Sequence, residues 1–539
     1  MAWPWEFVHV DSNAKELRRQ TLDRYAGYAQ ISAFGPVFLV LIYRLALWTI
    51  KTFDARKAVY SAVPESPRRK IRRQSPLGAW EARYRLFLWW LGGDVVFLGQ
   101  SVGIIGISQL PLQYLLALKS LNPIAYVLNS SHEEINRFHR ALGRIVYVLL
   151  FLHACLYTNY FIQTGIFLEK LMSSRAVQTG LLGIWAMTFL GATALKAIRQ
   201  YSYRIFFITH LAVALIIPPL IWFHVRVARV FVVEALVVFL VDIISRKLDT
   251  ITTTATIEQV AGTSLVKVTT SIPHHKIDRF RKNPGSHIYL QIPGESRPSS
   301  QDPLSKEYLV HEFLMNPFTV AAVDEDNSEL TLVARHLDGP TTSTLRQLAD
   351  QKTRAKQHQT SLAIEGPYGV AANYRKLSSG EYDRVLLVSG GVGATFTVPL
   401  YRSLVVENPG AKVQLVWAMR SPREAAWANA ASREGRVFSA EDGVQLFVTG
   451  SKSTPGAQEG DGGDEDGVEL STMQGEQQQH GVRPDLRKIV DDVFRHGHEE
   501  RVAVLFCGPA NMGRDLRNHV GVWVKKGRVV FWHSESFEW

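Results

Sequence analysis

Long apolar runs and short alternating runs divide this chain into two halves. A helix needs about 20 mostly apolar residues to cross a bilayer. Seven stretches approach that pattern: 31–50, 84–100, 102–119, 136–160, 178–198, 202–224 and 229–246. From residue 250 the period changes. TTTATIEQV, SLVKVTTS, SHIYLQIP, FTVAAV and LTLVARHL alternate apolar with polar residues and are separated by turn signals, which predicts an antiparallel β-barrel. From about residue 383 buried strands alternate with helices. DRVLLVSGGVGATFTVPLYRSLV reads as strand, Gly-rich turn and helix, and KVQLVWAMRS and RVAVLFCGPANM read as two further strands. That alternation predicts a parallel sheet with its ligand at the strand C-termini. The stretch 451–485, rich in Gly, Glu, Asp and Gln, is expected to be a disordered insertion.

Four segments follow: 1–80 with the first span and a basic loop, a membrane domain over 81–247, a barrel over 250–372, and a nucleotide-binding lobe over 380–539. The net charge of +11 refines the topology. Lys51, Arg56, Lys57, Arg68, Arg69, Lys70, Arg72, Arg73, Arg83 and Arg85 crowd residues 51–85, and such clusters stay cytoplasmic. Arg246-Lys247, leading into the large soluble half, should be cytoplasmic too. An even number of crossings must lie between, so seven spans are expected in all, with the N-terminus outside. The sequon Asn129-Ser130-Ser131 then faces the cytosol and stays unglycosylated. Nucleic acid is excluded as a partner, because no basic patch here is interleaved with aromatics on a recognisable binding fold. Two cysteines, Cys155 and Cys507, make no disulfide framework. The first 20 residues contain no apolar core of a signal peptide.

Two spans carry paired histidines, His139 with His153 and His210 with His224. Each pair is 14 residues apart, which places both rings on one helix face, about 21 Å apart along the axis. Ionisable groups inside a bilayer are costly and tend to be functional. In the expected topology the two helices run parallel, so His139 faces His210 and His153 faces His224. Each facing pair then offers both axial ligands to a haem iron, two haems in all. A single histidine could instead be a buried hydrogen-bonder, and the pairs could serve a transition metal or a proton path. A proton path would want Asp or Glu beside them, and none is there. Arg140 and Arg144 at the helix start suit either haem propionates or plain interface anchoring.

In the soluble half, Gly390-Gly391-Val392-Gly393-Ala394-Thr395 lies between a strand and a helix. Glycines there admit a phosphate to backbone N–H groups at a helix N-terminus, although a tight turn alone also requires them. Arg420 follows the next strand, where a 2′-phosphate of NADPH would lie, or where a surface arginine simply meets solvent.

With these residues assembled, the chain resembles the fungal ferric/cupric reductases of the NADPH-oxidase superfamily. The resemblance runs from about residue 80 to 539, apart from the insertion. QLPLQYLLALKSLNPIAYVLNSSHEEINRFHRALGR looks like the segment leading into that family's first haem helix. The resemblance implies a ferric-reductase-like helical transmembrane bundle followed by a ferredoxin-reductase-like module, with an antiparallel β-barrel for FAD and an α/β parallel sheet for the nucleotide. It implies that His139 and His210 bind the inner haem, and His153 and His224 the outer one. Pro317, Phe318 and Thr319 of NPFTV would line FAD, with Asn316 standing where the family has histidine. His287 in PGSHIYL would lie near the flavin, and Gly366, Pro367 and Gly369 of EGPYG near the nucleotide. Gly390, Gly391, Gly393, Thr395, Cys507, Gly508, Pro509 and the terminal Trp539 match the pyridine-nucleotide lobe. Cys507 would then sit near the nicotinamide, or otherwise be a buried strand-end thiol.

The implied activity is electron transfer from cytosolic NADPH, via FAD and two b-type haems, to external Fe(III) or Cu(II) chelates. The expected location is the plasma membrane, with many passes and the dehydrogenase module in the cytosol; any metal-uptake partner proteins stay unidentified. A superoxide-generating NADPH oxidase of the same superfamily is the nearest rival. A non-enzymatic membrane protein with a vestigial dehydrogenase lobe is the rival of another class. The connection VRVA (225–228) between the last two spans leaves no room for an outer domain over the outer haem, which favours a bulky metal chelate as acceptor.

Overall fold

The computed structural model describes residues 11–54, 95–128, 130–297, 315–337, 339–354, 359–369, 377–430, 443–450, 478–481, 483–497 and 499–535. The basic loop from 55 to 85, the first part of the 84–100 span, Asn129, most of the 451–485 insertion and Trp539 lie outside these residues. The chain divides into two compact units between Ser245 and Arg246.

The first unit is helical. Its elements are α1 (Ser12–Ala33), α2 (Gly35–Asp54), α3 (Val95–Ser108), α4 (Leu110–Leu115), α5 (Pro123–Leu128), α6 (His132–Gln163), α7 (Phe167–Ser173), α8 (Arg175–Thr193), α9 (Lys196–Tyr201), α10 (Tyr203–His224) and α11 (Arg229–Asp249, entering the second unit at Arg246). Local chemistry sets the starts. Asp11 caps α1 by accepting from Ala14 N at 2.9 Å, and Ser131 and Ser202 cap α6 and α10 through their hydroxyls. Glu133 and Glu134 sit in the first turn of α6, where carboxylates favour the helix dipole.

The spans differ from the expected seven. Among the described residues, α6, α8 and α10 are long and apolar enough to cross a membrane, and the α1–α2 pair, bent by 42°, makes a fourth if counted as one span. The expected 31–50 span is therefore two helices meeting at Phe34. The expected 102–119 span breaks at Gln109, because Pro111 brings no N–H to continue the ladder from α3. The expected 178–198 span ends at Thr193, with α9 as a separate short piece. Helix α11 has the length for 229–246 but carries Glu234 and Asp242 within it. Both carboxylates have partners: Gln30 Nε2 donates to Glu234 at 2.6 Å, and the backbone N–H groups of Lys119 and Ser120 donate to Asp242 Oδ1 at 3.1 Å. Large apolar side chains on α6, α8 and α10 stay exposed, among them Val148, Phe151, Trp185, Phe189, Ile216 and Phe223. An apolar surface of that kind suits lipid rather than water.

In the second unit, β1 (Ile251–Gln259), β2 (Leu265–Ser271), β3 (His287–Gln291), β4 (Asn316–Asp324), β5 (Glu329–Arg335) and β6 (Thr360–Tyr368) close an antiparallel barrel in the order β1-β2-β5-β4-β3-β6. Every expected barrel strand is present. Alternate residues such as Ile257, Val268, Ile288, Leu332 and Leu362 fill its core, and α12 (His274–Arg281) and α13 (Pro340–Arg354) add Phe280 and Leu345.

A parallel sheet follows, in the order β10-β9-β8-β7-β11-β12, from β7 (Arg384–Gly390), β8 (Lys412–Met419), β9 (Val444–Val448), β10 (Gln478–His480), β11 (Val502–Cys507) and β12 (Val530–Glu535). Its described helices are α14 (Ala394–Glu407), α15 (Ala426–Ala430), α16 (Leu486–Phe494) and α17 (Ala510–Lys525). The sheet is apolar on both faces, as a covered parallel sheet must be: Leu387 and Trp417 pack on one side, Leu386, Val388 and Phe506 on the other. From β7 the order runs outward to β8 in one direction and to β11 in the other. This makes the β7–β11 junction the topological switch point, where α/β sheets bind ligands. The far end of the expected insertion is ordered, since β10 pairs with β9 and Asp485 caps α16.

Candidate functional site

Two candidate sites are built, one in each unit. In the helical unit, α6 carries His139 and His153, and α10 carries His210 and His224. The rings of His139 and His210 stand 6.3 Å apart between centroids, and those of His153 and His224 stand 6.0 Å apart. Two metal–imidazole bonds of about 2 Å, plus about 1.1 Å from each ligating nitrogen to its ring centre, give about 6.2 Å. Both gaps therefore match an iron held between facing imidazoles.

Backbone carbonyls orient three of the rings. His139 Nδ1 lies 3.0 Å from Gln113 O, His153 Nδ1 lies 2.7 Å from Gly99 O, and His224 Nδ1 lies 2.7 Å from Ala176 O. A carbonyl accepts, so each Nδ1 carries the proton; Nε2 of His153 and of His224 keeps its lone pair for a metal, while that of His139 is shared with the Gln113 amide. His210 Nδ1 is buried without such a partner among the described residues. The Gln113 side chain lies along His139, donating to its carbonyl at 3.1 Å and standing 3.3 Å from its Nε2.

Room for the rings comes from glycine. A Cβ at Gly103 would stand 2.5 Å from His153 Nδ1, and one at Gly180 would stand 2.5 Å from His224 Cε1. Gly99, Gly103 and Gly106 form the small stripe through which α3 packs on α6. That spacing is readable in the chain, but it marks a helix contact and does not name the histidine it serves. Arg140 and Arg144 are exposed on α6.

In the second unit the motif residues converge on neighbouring strands. His287 pairs with Thr319, Ile288 with Phe318, and Tyr289 with Pro317 across β3 and β4, while His287 also pairs with Tyr368 on β6. The EGPYG segment is held close by glycine geometry. Gly366 has φ +149° and Gly369 φ +122°, and a Cβ at Gly366 would stand 3.2 Å from His287 O. The Gly366–Pro367 peptide is cis. Ser286 Oγ, beside Gly369, is buried with no partner among the described residues, as a donor awaiting a ligand would be. Asn316 donates its amide to Thr341 Oγ1 and so ties the start of β4 to α13. Sequence reasoning took Arg246 as a topological charge only. Its guanidinium in fact grips buried Glu365 with two hydrogen bonds, at 2.7 and 3.0 Å.

The two turns at the switch point interlock. A Cβ at Gly390 would stand 2.6 Å from Pro509 Cδ, one at Gly393 would stand 2.2 Å from Cys507 O, and one at Gly508 would stand 2.9 Å from Gly390 N. The glycines are therefore required by the approach of the turns, and they also bare backbone N–H groups at the start of α14. Trp417 Nε1 donates to Gly391 O at 3.0 Å, and Thr395 Oγ1 donates to Val392 O at 2.9 Å. Helix α14 packs on β4, and its Phe396 and Leu400 lie against Gly285, which joins the barrel motifs to the Gly-rich turn. Arg420 is exposed just past β8. Cys507 is buried, and burial pushes its thiol well above the ordinary range, with the Glu535 charge adding to the effect. It is a neutral thiol.

Comparisons with known proteins fall on the same segments. Residues 102–221 match the ferric reductase like transmembrane component, 252–372 an FAD-binding domain, and 382–521 the ferric reductase NAD binding domain. The chain is similar to "Ferric/cupric reductase transmembrane component 2" of Schizosaccharomyces pombe, at 23% identity over 83% of this chain and 81% of that one. "Probable metalloreductase AIM14" of Meyerozyma guilliermondii aligns at 23% identity over 77% of this chain and 79% of its own length. "Ferric reductase transmembrane component 3" of Saccharomyces cerevisiae aligns at 21% identity over 82% of this chain and 62% of its own.

Proposed function

This chain belongs to the ferric reductase family, and from that premise we propose that it is a metalloreductase carrying electrons from cytosolic NADPH to Fe(III) or Cu(II) chelates across a membrane, with FAD and two b-type haems as its resident groups. When bound, FAD supplies hydride acceptance and haem iron supplies one-electron transfer. The chain's own residues bind and orient. His139 and His210 would hold one haem, and His153 and His224 the other. With two imidazoles offered to each iron, the residues present would hold the groups for electron transfer and not for binding an acceptor. The carbonyls of Gln113, Gly99 and Ala176 would fix three of the four imidazoles in the ligating tautomer.

His287, Pro317, Phe318 and Thr319 would seat the flavin, with Gly366, Pro367 and Gly369 near the nucleotide. Gly390, Gly391, Gly393, Thr395, Gly508 and Pro509 would admit the nucleotide, with Cys507 beside it and Arg420 placed for a 2′-phosphate. Trp539 matches the family's nucleotide lobe by sequence. The basic loop and the Arg246-Lys247 exit support a cytosolic dehydrogenase module, and a plasma-membrane location follows from an external acceptor. The short connection at 225–228 supports a metal chelate over oxygen as the acceptor.

One observation carries this reading: two pairs of facing imidazoles, each with the gap that an iron requires. The test compares Fe(III)-chelate reduction with superoxide output in membranes containing the protein and supplied with NADPH. Chelate reduction in excess of superoxide supports the metalloreductase; the reverse would replace it with an oxidase.

A further inference from the structure

We propose that Arg175 and Arg226 dock anionic metal chelates at the outer histidine pair. The proposal deepens the proposed function and rests on it. In the topology read from the sequence, residues 164–177 and 225–229 face outward. They carry four cations, Lys170, Arg175, Arg226 and Arg229, against one carboxylate, Glu169. Lys and Arg ordinarily collect on the cytoplasmic side, so an outer surplus asks for a separate cause.

Two of these cations are already engaged. Lys170 Nζ lies 3.6 Å from Glu169 Oε1. Arg229 lies over the Trp222 ring at 5.0 Å and donates its Nε to Trp222 O at 3.1 Å. Arg175 and Arg226 are exposed, and their guanidiniums have no hydrogen-bond or ion-pair partner among the described residues. Arg175 is the first residue of α8, where the helix dipole disfavours a cation, so its charge does not serve the helix.

Both arginines flank one ring. His224 Nδ1 donates to the carbonyl of Ala176, the residue after Arg175, at 2.7 Å, and Arg226 follows His224 by two residues. The His153 ring stands opposite at 6.0 Å. Tyr157 and Phe161 continue along α6 from it, with ring spacings of 4.9 and 5.8 Å. Residues 154–163, the outer turns of α6, hold no Asp or Glu. The outer pair is therefore bordered by two unengaged guanidiniums and a wall of rings. A guanidinium offers a carboxylate two parallel donors, so a polycarboxylate chelate fits this border and a cationic complex is repelled. Charge of one sign around a site raises the arrival rate of the opposite sign by about 10–10³.

The experiment uses the full-length protein, loaded with FAD and haem, in sealed phosphatidylcholine vesicles that hold NADPH. Ferricyanide, an anion, and hexaammineruthenium(III), a cation, are supplied outside in separate assays, with Fe(III)-citrate as the carboxylate chelate. The quantity read is kcat/KM for the anion divided by that for the cation, in which losses of folding or haem cancel. R175Q/R226Q is expected to lower this ratio about tenfold or more at low salt, with Fe(III)-citrate reduction falling alongside. R175K/R226K, which keeps the charge, should stay near the wild-type ratio. The gap between wild type and R175Q/R226Q should close at about 1 M salt, where the Debye length is about 3 Å. If R175Q/R226Q slows both acceptors equally, the arginines anchor helices in lipid headgroups; if it slows neither, they face solvent alone. Either result overturns the proposal. A wild type that reduces no external acceptor overturns the proposed function itself, and the docking site with it.

Discussion

A methyl group at position 103 would lie 2.5 Å from His153 Nδ1, well inside van der Waals contact. The histidine could not stay between α3 and its partner ring, so G103A is expected to lose one haem of two, lowering haem per protein to about half by pyridine haemochrome assay. Gly183 meets nothing within 4 Å, and G183A should keep the wild-type ratio. Equal loss in both would mean that Gly103 does not serve the histidine.

Cys507 supports a prediction of another kind. Burial holds its thiol above the ordinary cysteine value, so it stays protonated, and therefore unreactive, as pH rises to 9. Iodoacetamide labelling of the native protein below that pH should leave Cys507 unmodified, with modification only after unfolding; peptide mass analysis reads the outcome. At this scale the histidines and glycines were legible, because spacing on one helix or in one turn is a local property. Arg335 with Glu424, and Arg246 with Glu365, were not. Their partners are 89 and 119 residues away in the chain, and no period connects them.

Helix α10 carries Pro218 and Pro219 between its two histidines. Pro218 has no N–H for the carbonyl of Ala214, four residues earlier. Tyr114 of α4 supplies the missing donor, its hydroxyl reaching Ala214 O at 2.7 Å. Tyr114→Phe would leave that carbonyl unpaired in an apolar setting, a cost of about 1–3 kcal/mol. A lowered melting temperature in detergent is expected. Pro218→Ala returns the N–H to the ladder, so adding Tyr114→Phe on that background should cost much less; an undiminished cost would assign Tyr114 some other role. Element identity was easiest to read in the barrel and sheet, where period-2 alternation and switch-point turns are short-range. In the membrane half the helices of 136–160, 178–198 and 202–224 were legible and the breaks elsewhere were not, because hydropathy measures how apolar a stretch is and not where it breaks. Pro111 ends one expected span, and Asp11 starts a helix in a stretch too polar to attract notice.

The molecule as a whole divides its labour along one chain. The second unit brings flavin and nucleotide motifs to one switch point, and the first holds two imidazole pairs between two helices. In the proposed function the four histidines hold two haems. The most direct measurement is a dithionite-reduced-minus-oxidised spectrum of the purified protein, with haem counted against protein for wild type, H139A/H210A and H153A/H224A. The expected result is b-type bands with two haems in wild type and one in each double variant. No haem in wild type, or an unchanged count in either variant, would contradict it.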